Sequence, residues 1–294
     1  VIVAGSLNVV SGLAHMLSHP YMRDAVIAGG AIAVSCGLVG HFMVMREQTF
    51  SGDALSHVAF TGSLLALVIG IDLRIGLFGG CVLVAVAMGL IGRLGRADDV
   101  VIGNLFAWIL GLGVLFLSIY TSSRSGNATG ATSGVTVLFG SVFGLSDSTT
   151  LVAVAIAIGV SAAMLAISRP LLYATVDESV AAARGVPVRG LGVAFLALVG
   201  IVAGEATQIV GALLLLGLLA TPASAAQRIV ANPDRAMAWS VVFCVGAVWG
   251  GLVASYHWTT IPPSFSILAI ATTTRLAAGL IGHVHHRGRS TPRT

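Results

Sequence analysis

The sequence predicts an all-α polytopic membrane protein, a bundle of about eight or nine transmembrane helices. Composition, span length and the placement of charge carry that expectation. Hydrophobic residues fill 56% of the 294 positions and charged residues only 9%, whereas a soluble domain carries about 25% charged residues. Runs of the ~20 mostly apolar residues needed to cross a ~30 Å hydrocarbon core follow one another from residue 24 almost to the end. No room is left for a water-soluble domain, so residues 1–294 read as one transmembrane unit, with 283–294 as a basic, His-containing tail.

In order, the candidate spans are 24–45, 54–71, 75–92, 99–120, 149–168, 188–203, 206–226, 236–256 and 261–282. The runs on either side of Glu205 are short and nearly continuous. They fit two spans with Glu205 solvated at their external junction, or one broken helix that holds Glu205 inside the membrane. Residues 1–17 read as a further span, an interfacial helix or an arm; without a clear cleavage site, no signal peptide is expected there.

All fifteen basic residues are arginine, and the net charge is +4. Spread thinly between apolar runs, they form no dense patch for nucleic acid. Their distribution orients the chain instead. With the C-terminus placed in the cytoplasm, eleven arginines fall on the cytoplasmic face, among them Arg46, Arg93, Arg96, Arg184 and Arg228, against Arg23, Arg74 and Arg124 outside. That is the bias of the positive-inside rule. Arg275 lies within the last apolar run, where it either snorkels to the interface or contacts another helix.

Three connections stand out. The Ser, Thr and Gly-rich 121–134 reads as an external loop, and the short apolar stretch that follows as a re-entrant or interfacial piece. In 169–190, Pro170 is expected to close a helix; Asp177 and Glu178 open a short alanine-rich helix that Gly185 and Pro187 stop.

Charged groups at membrane depth cost at least ~2.5 kcal/mol each, so every one calls for a reason. Asp53 and His57 stand four residues apart at the head of a span, hence on one helix face. Three readings fit the spacing: an oxygen and a nitrogen ligand suited to Mn(II), Zn(II) or Fe(II), an N-cap aspartate beside a buried hydrogen-bonded histidine, or a proton relay. His41, inside an apolar span, reads as a packed helix-contact histidine, and His257 as an interface residue beside Trp258. His283, His285 and His286 could bind a divalent metal weakly. The cysteines Cys36, Cys81 and Cys244 lie in apolar stretches as small hydrophobes. HExxH, GxSxG and Walker A motifs are absent, the last excluded by the lack of lysine. The chain therefore carries no P-loop of its own, and transport energy would come from a partner or an ion gradient.

The run MVMREQTFSGDALSHVAFTG resembles the signature of the membrane subunit of bacterial ABC transporters for zinc, manganese and iron. DDVVIGNLFAWILGLGVLFLS, VLFGS, VDESVAAARGVPV and VGALLLLGLLATPASAAQRI match the same family in the same order, over roughly residues 20 to 280. The resemblance implies a permease of the bacterial cytoplasmic (inner) membrane that forms a homodimer. It would sit on two cytoplasmic ABC ATPase subunits, which use the ATP, and take Zn2+, Mn2+ or Fe2+ from an extracytoplasmic metal-binding protein. No cofactor is permanently bound and no covalent chemistry takes place in this subunit.

Carried over residue by residue, the resemblance places Asp53 and His57 on the metal path. It makes the segment with Asp177, Glu178, Arg184, Gly185 and Pro187 a cytoplasmic coupling helix against the ATPase. Two departures stand out. HWTTIPPSF lacks the acidic residue the family often has before Pro and Gly, leaving Glu205 or His257 as candidate substitutes among the metal ligands. Phe60 and Thr61 stand where a small or apolar residue followed by proline is common. A gradient-coupled secondary transporter and a non-transporting scaffold are the rival expectations.

Overall fold

The computed structural model describes residues 18–92, 99–123, 140, 144, 147–212, 215–258 and 260–287. The expectations for residues 1–17, for most of 121–146, for Arg93, Arg96 and Arg124, and for the side chains of the tail histidines lie outside these residues. Among the described residues the chain forms ten helices. They are α1 (Pro20–Met45), α2 (Thr49–Ile69), α3 (Leu73–Ile91), α4 (Asp99–Ser123), α5 (Asp147–Val176), α6 (Glu178–Ala183), α7 (Val188–Val210), α8 (Leu215–Ile229), α9 (Pro233–His257) and α10 (Pro263–Arg287).

Local chemistry sets many of the boundaries. Pro20 opens α1 at the position where a missing N–H costs nothing. Gly70, with φ 83°, ends α2 in the left-handed conformation and donates its N–H to the Ala66 carbonyl at 2.9 Å. Asp72 then caps α3 by accepting from the Arg74 amide at 2.8 Å. Asn232 caps α9 in the same way, accepting from the amides of Asp234 and Arg235, with Pro233 next in line.

Seven helices, α1 to α5, α7 and α9, are long and apolar enough to cross a membrane. The expected eight or nine spans exceed this by α8 and α10. α8 has 15 residues, about 22 Å at the helical rise, because the chain from 188 to 229 breaks elsewhere than expected. α7 runs without interruption through Glu205 to Val210 and is capped at Gly211, and α8 begins at Leu215. Glu205 is therefore buried within a span rather than solvated between two. Pro170 likewise does not close a helix: α5 continues through it to Val176. Beyond it, Leu171 and Ala174 are buried, so apolar packing holds the last turns in place.

α1 is the centre of the bundle, with 78% of its span window buried, and packs on α5, α7, α8 and α9. α4 is peripheral at 17% and leans mainly on α2. Between spans no hydrophobic force drives association, so close approach through small residues has to serve. Gly62 of α2 and Gly76 of α3 show this: a Cβ on either would collide with the other's carbonyl oxygen. Ser240 of α9 adds a hydrogen bond to the Gly37 carbonyl of α1 at 2.8 Å.

Candidate functional site

The site grows from the turn between α1 and α2. Arg46, buried, donates from Nε to Gln48 Oε1 at 3.2 Å, and its guanidinium carbon lies 5.6 Å from the Phe195 ring centre on α7. Gly52 abuts Met43 and Leu219, seating the first turn of α2 against α1 and α8. This anchors the helix that carries Asp53 and His57.

Asp53 is not the helix cap. α2 starts at Thr49, Gln48 takes the N-cap position without a side-chain hydrogen bond, and Asp53 stands in the second turn. The helix begins before the apolar run because Gln48 and Ser51 are themselves buried in the packed turn. One turn beyond Asp53, the His57 ring meets Phe106 of α4 edge-on, with centroids 5.1 Å apart and planes at 72°. Phe50, two turns before His57, meets the same Phe106 ring at 6.0 Å. Phe50, Asp53 and His57 thus follow one side of α2, next to α4. Asp53 and His57 are both partly exposed, so a carboxylate and an imidazole lie within reach of a small solute at the flank of the bundle.

Thr61, one turn deeper, donates to the Ile109 carbonyl of α4 at 3.0 Å. The residue at the position where proline was the expectation therefore pins α2 to α4 rather than bending the helix. Together, Phe106 and Thr61 fix how the Asp53 and His57 face meets α4.

The other candidates lie apart from this pair. Glu205 is 1% exposed on α7, and both carboxylate oxygens are buried without a hydrogen-bond partner. His257 ends α9, exposed, edge-on to Trp258 at 6.2 Å. His41 is a helix-contact residue as expected: Gln227 of α8 donates to its carbonyl at 2.9 Å and approaches Nδ1 at 3.4 Å. Cys36, Cys81 and Cys244 are buried free thiols. Among the described residues no three His, Cys, Asp or Glu side chains come together as a metal site.

At the other end of α5 the chain turns through α6. Asp177, with extended φ −149°, caps it by accepting from the Val180 amide at 3.0 Å and the Ser179 hydroxyl at 2.6 Å. Those bonds, the Ser179 hydroxyl first, hold the Asp177 carboxyl below its ordinary value. Arg184 closes the helix, Gly185 takes φ 83° and Pro187 starts α7. Ala181 packs inward on Ala174 and Val188, leaving Asp177, Ser179 and Arg184 exposed.

The missed contact at the site is Phe106. Sequence supplies an aromatic in the fourth span but not its facing partner, because helix rotation across a loop is not encoded in spacing along either helix.

An all-helical bundle with seven helices long and apolar enough to cross a membrane, two of them joined by a short helix, is the architecture of a membrane transport subunit. The chain belongs to the ABC 3 transport family, whose model matches residues 18–281. It is 29% identical over 267 residues to the manganese transport system membrane protein MntC of Halalkalibacterium halodurans, covering 88% of this chain and 86% of that one. It is 27% identical over 242 residues to the chelated iron transport system membrane protein YfeD of Yersinia pestis, covering 82% and 78%. Among solved structures it is similar to PsaBC from Streptococcus pneumoniae in complex with Fab, at 26% identity and TM-score 0.76, covering 92% of this chain and 95% of that one.

Proposed function

We propose that this chain is the permease subunit of an ATP-driven importer of divalent transition metal ions, Mn2+, Fe2+ or Zn2+. The observation that carries the reading is the Asp53 and His57 pair, partly exposed on α2, in a chain similar over most of its length to manganese and chelated-iron permeases. An oxygen and a neutral imidazole nitrogen form a borderline ligand set suited to these ions. Two ligands hold an ion loosely, which suits passage better than storage. Hydration water, backbone carbonyls or a second copy of the permease facing the exposed flank would complete the shell. Among the described residues Glu205 and His257 do not cluster with the pair, so the reading rests on Asp53 and His57 alone.

Energy comes from a separate cytoplasmic ATPase. α6, with Asp177, Glu178, Arg184, Gly185 and Pro187, is the coupling helix that meets it. A push on α6 passes directly to α5 and α7, which it joins. With α8 and α10 counted as crossing helices, alternation places the C-terminus and the arginine-rich connections in the cytoplasm. The opposite face then receives the ion from an extracytoplasmic metal-binding protein.

The test is uptake into sealed vesicles that contain the chain with its ATPase, with ion gradients collapsed. ATP-dependent accumulation of Mn2+, Fe2+ or Zn2+ is expected. Uptake that needs a gradient and ignores ATP would favour a secondary transporter.

A further inference from the structure

Glu205 is the most demanding group in the bundle that the metal path does not use. Its side chain is 1% exposed and neither carboxylate oxygen has a hydrogen-bond partner, an arrangement that is costly for a carboxylate unless it finds a cation or a proton. It lines a small cavity of about 10 Å3 together with Arg74, Phe78, Thr149 and Gln208. Arg74, from the first turn of α3, does not meet Glu205 there; its Nη2 donates to the Thr149 hydroxyl of α5 at 2.6 Å. One guanidinium therefore has two acceptors within one cavity, a neutral hydroxyl on α5 and an unsatisfied carboxylate on α7.

We infer that Arg74 and Glu205 form a conformational latch, open in this structure and closed in another state of the transport cycle. Topology supplies the drive. Thr149 stands at the start of α5 and Glu205 near the end of α7, and α6 joins the opposite ends of these same two helices. A displacement of α5 against α7 transmitted from α6 changes which acceptor Arg74 reaches. A charge-assisted pair with the carboxylate is stronger than a bond to a hydroxyl, so the pair stabilises the state in which Arg74 leaves α5 for α7, against which α3 already packs through Gly204 on Leu77 and Phe78. The guanidinium suits this role, since its planar fork meets both carboxylate oxygens at once. The latch rests on the permease reading only in requiring two conformations. It assigns Glu205 to gating on the side opposite α6, and not to holding the ion.

The test compares Arg74→Gln, Glu205→Gln and the double variant in the permease bound to its ATPase. Gln keeps the size of each group, and monodisperse complexes report folding. Each single variant is expected to lower uptake per ATP hydrolysed roughly tenfold, with the double variant no worse than the poorer single, because both remove one shared interaction. Losses that multiply, or singles that transport like the parent, overturn the latch. Structures of the parent complex with and without trapped nucleotide are expected to place the Arg74 guanidinium on Glu205 in one state. Arg74 on Thr149 in both overturns it. If the parent shows no ATP-driven metal uptake, the permease reading fails instead; the same cycle, read as nucleotide-dependent thermal stability, still decides the latch.

Discussion

His57 of α2 stands edge-on to Phe106 of α4 with ring centroids 5.1 Å apart. The aromatic neighbour restricts the imidazole, and Phe50 braces Phe106 from two turns earlier on α2. A ligand held in one rotamer meets an incoming ion with less ordering cost than a free one.

Phe106→Ala removes that restraint without touching the proposed ligands. Edge-on aromatic pairs contribute about 0.5–1.5 kcal/mol. The expected outcome is therefore a several-fold rise in KM for the metal with kcat little changed, measured by initial uptake rates over a range of metal concentrations. An unchanged KM would show that Phe106 does not position His57.

At the crossing of α2 and α3, Gly62 and Gly76 are in backbone contact. Gly62→Leu forces the helices apart, and overpacking of this kind costs about 1–3 kcal/mol. A lower thermal midpoint of the detergent-solubilised chain is expected, together with reduced yield. Gly79→Leu, one turn along α3 from Gly76, is the control, because open space surrounds that position.

Thr61→Val deletes the hydrogen bond to the Ile109 carbonyl at nearly constant volume. Interhelical bonds of this type average about 0.6 kcal/mol in membranes. A small drop in thermal stability with uptake retained is expected. Loss of uptake in a stable variant would instead give α4 a direct part in the path.

Much of this architecture was legible in the sequence, because span length and apolar composition act locally. Asp177, Gly185 and Pro187 announced α6 in the same way, the first as its cap and the other two as its stop. The break between α7 and α8 was not legible. A charged residue at 205 looks like a boundary along the chain, and only burial by neighbouring helices keeps it inside a span. Asp53 misled for a related reason: the buried Gln48 and Ser51 extend α2 backwards by packing rather than by capping. Of the site, one-turn spacing put Asp53 and His57 on one face, while Phe106 and the Arg74 contact with Thr149 depend on helix rotation, which no spacing records.

For α6, Asp177→Ala removes the acceptor for Val180 N–H and the Ser179 hydroxyl, whereas Asp177→Asn keeps a capping oxygen. Weaker association with the ATPase and lower ATP turnover are expected for the alanine variant, with the asparagine variant near the parent. The pH dependence has a definite sign. The carboxyl is lowered in the folded chain, so its contribution is complete above the ordinary carboxylate value and is lost as pH falls through the lowered one. The proposed coupling through this cap is therefore expected to be constant near neutrality. A loss between pH 6 and 8, a range above any carboxylate of ordinary value (~4), would have to come from another group.

The most direct measurement is ATP-driven metal uptake by the complete transporter carrying Asp53→Ala or His57→Ala, with ATP hydrolysis measured in the same vesicles. Each variant is predicted to lose at least about tenfold in uptake, equivalent to about 1.4 kcal/mol, while the folded complex still hydrolyses ATP. Uptake at the parent's rate in both variants, in a well-folded complex, would contradict the assignment of this pair to the metal path.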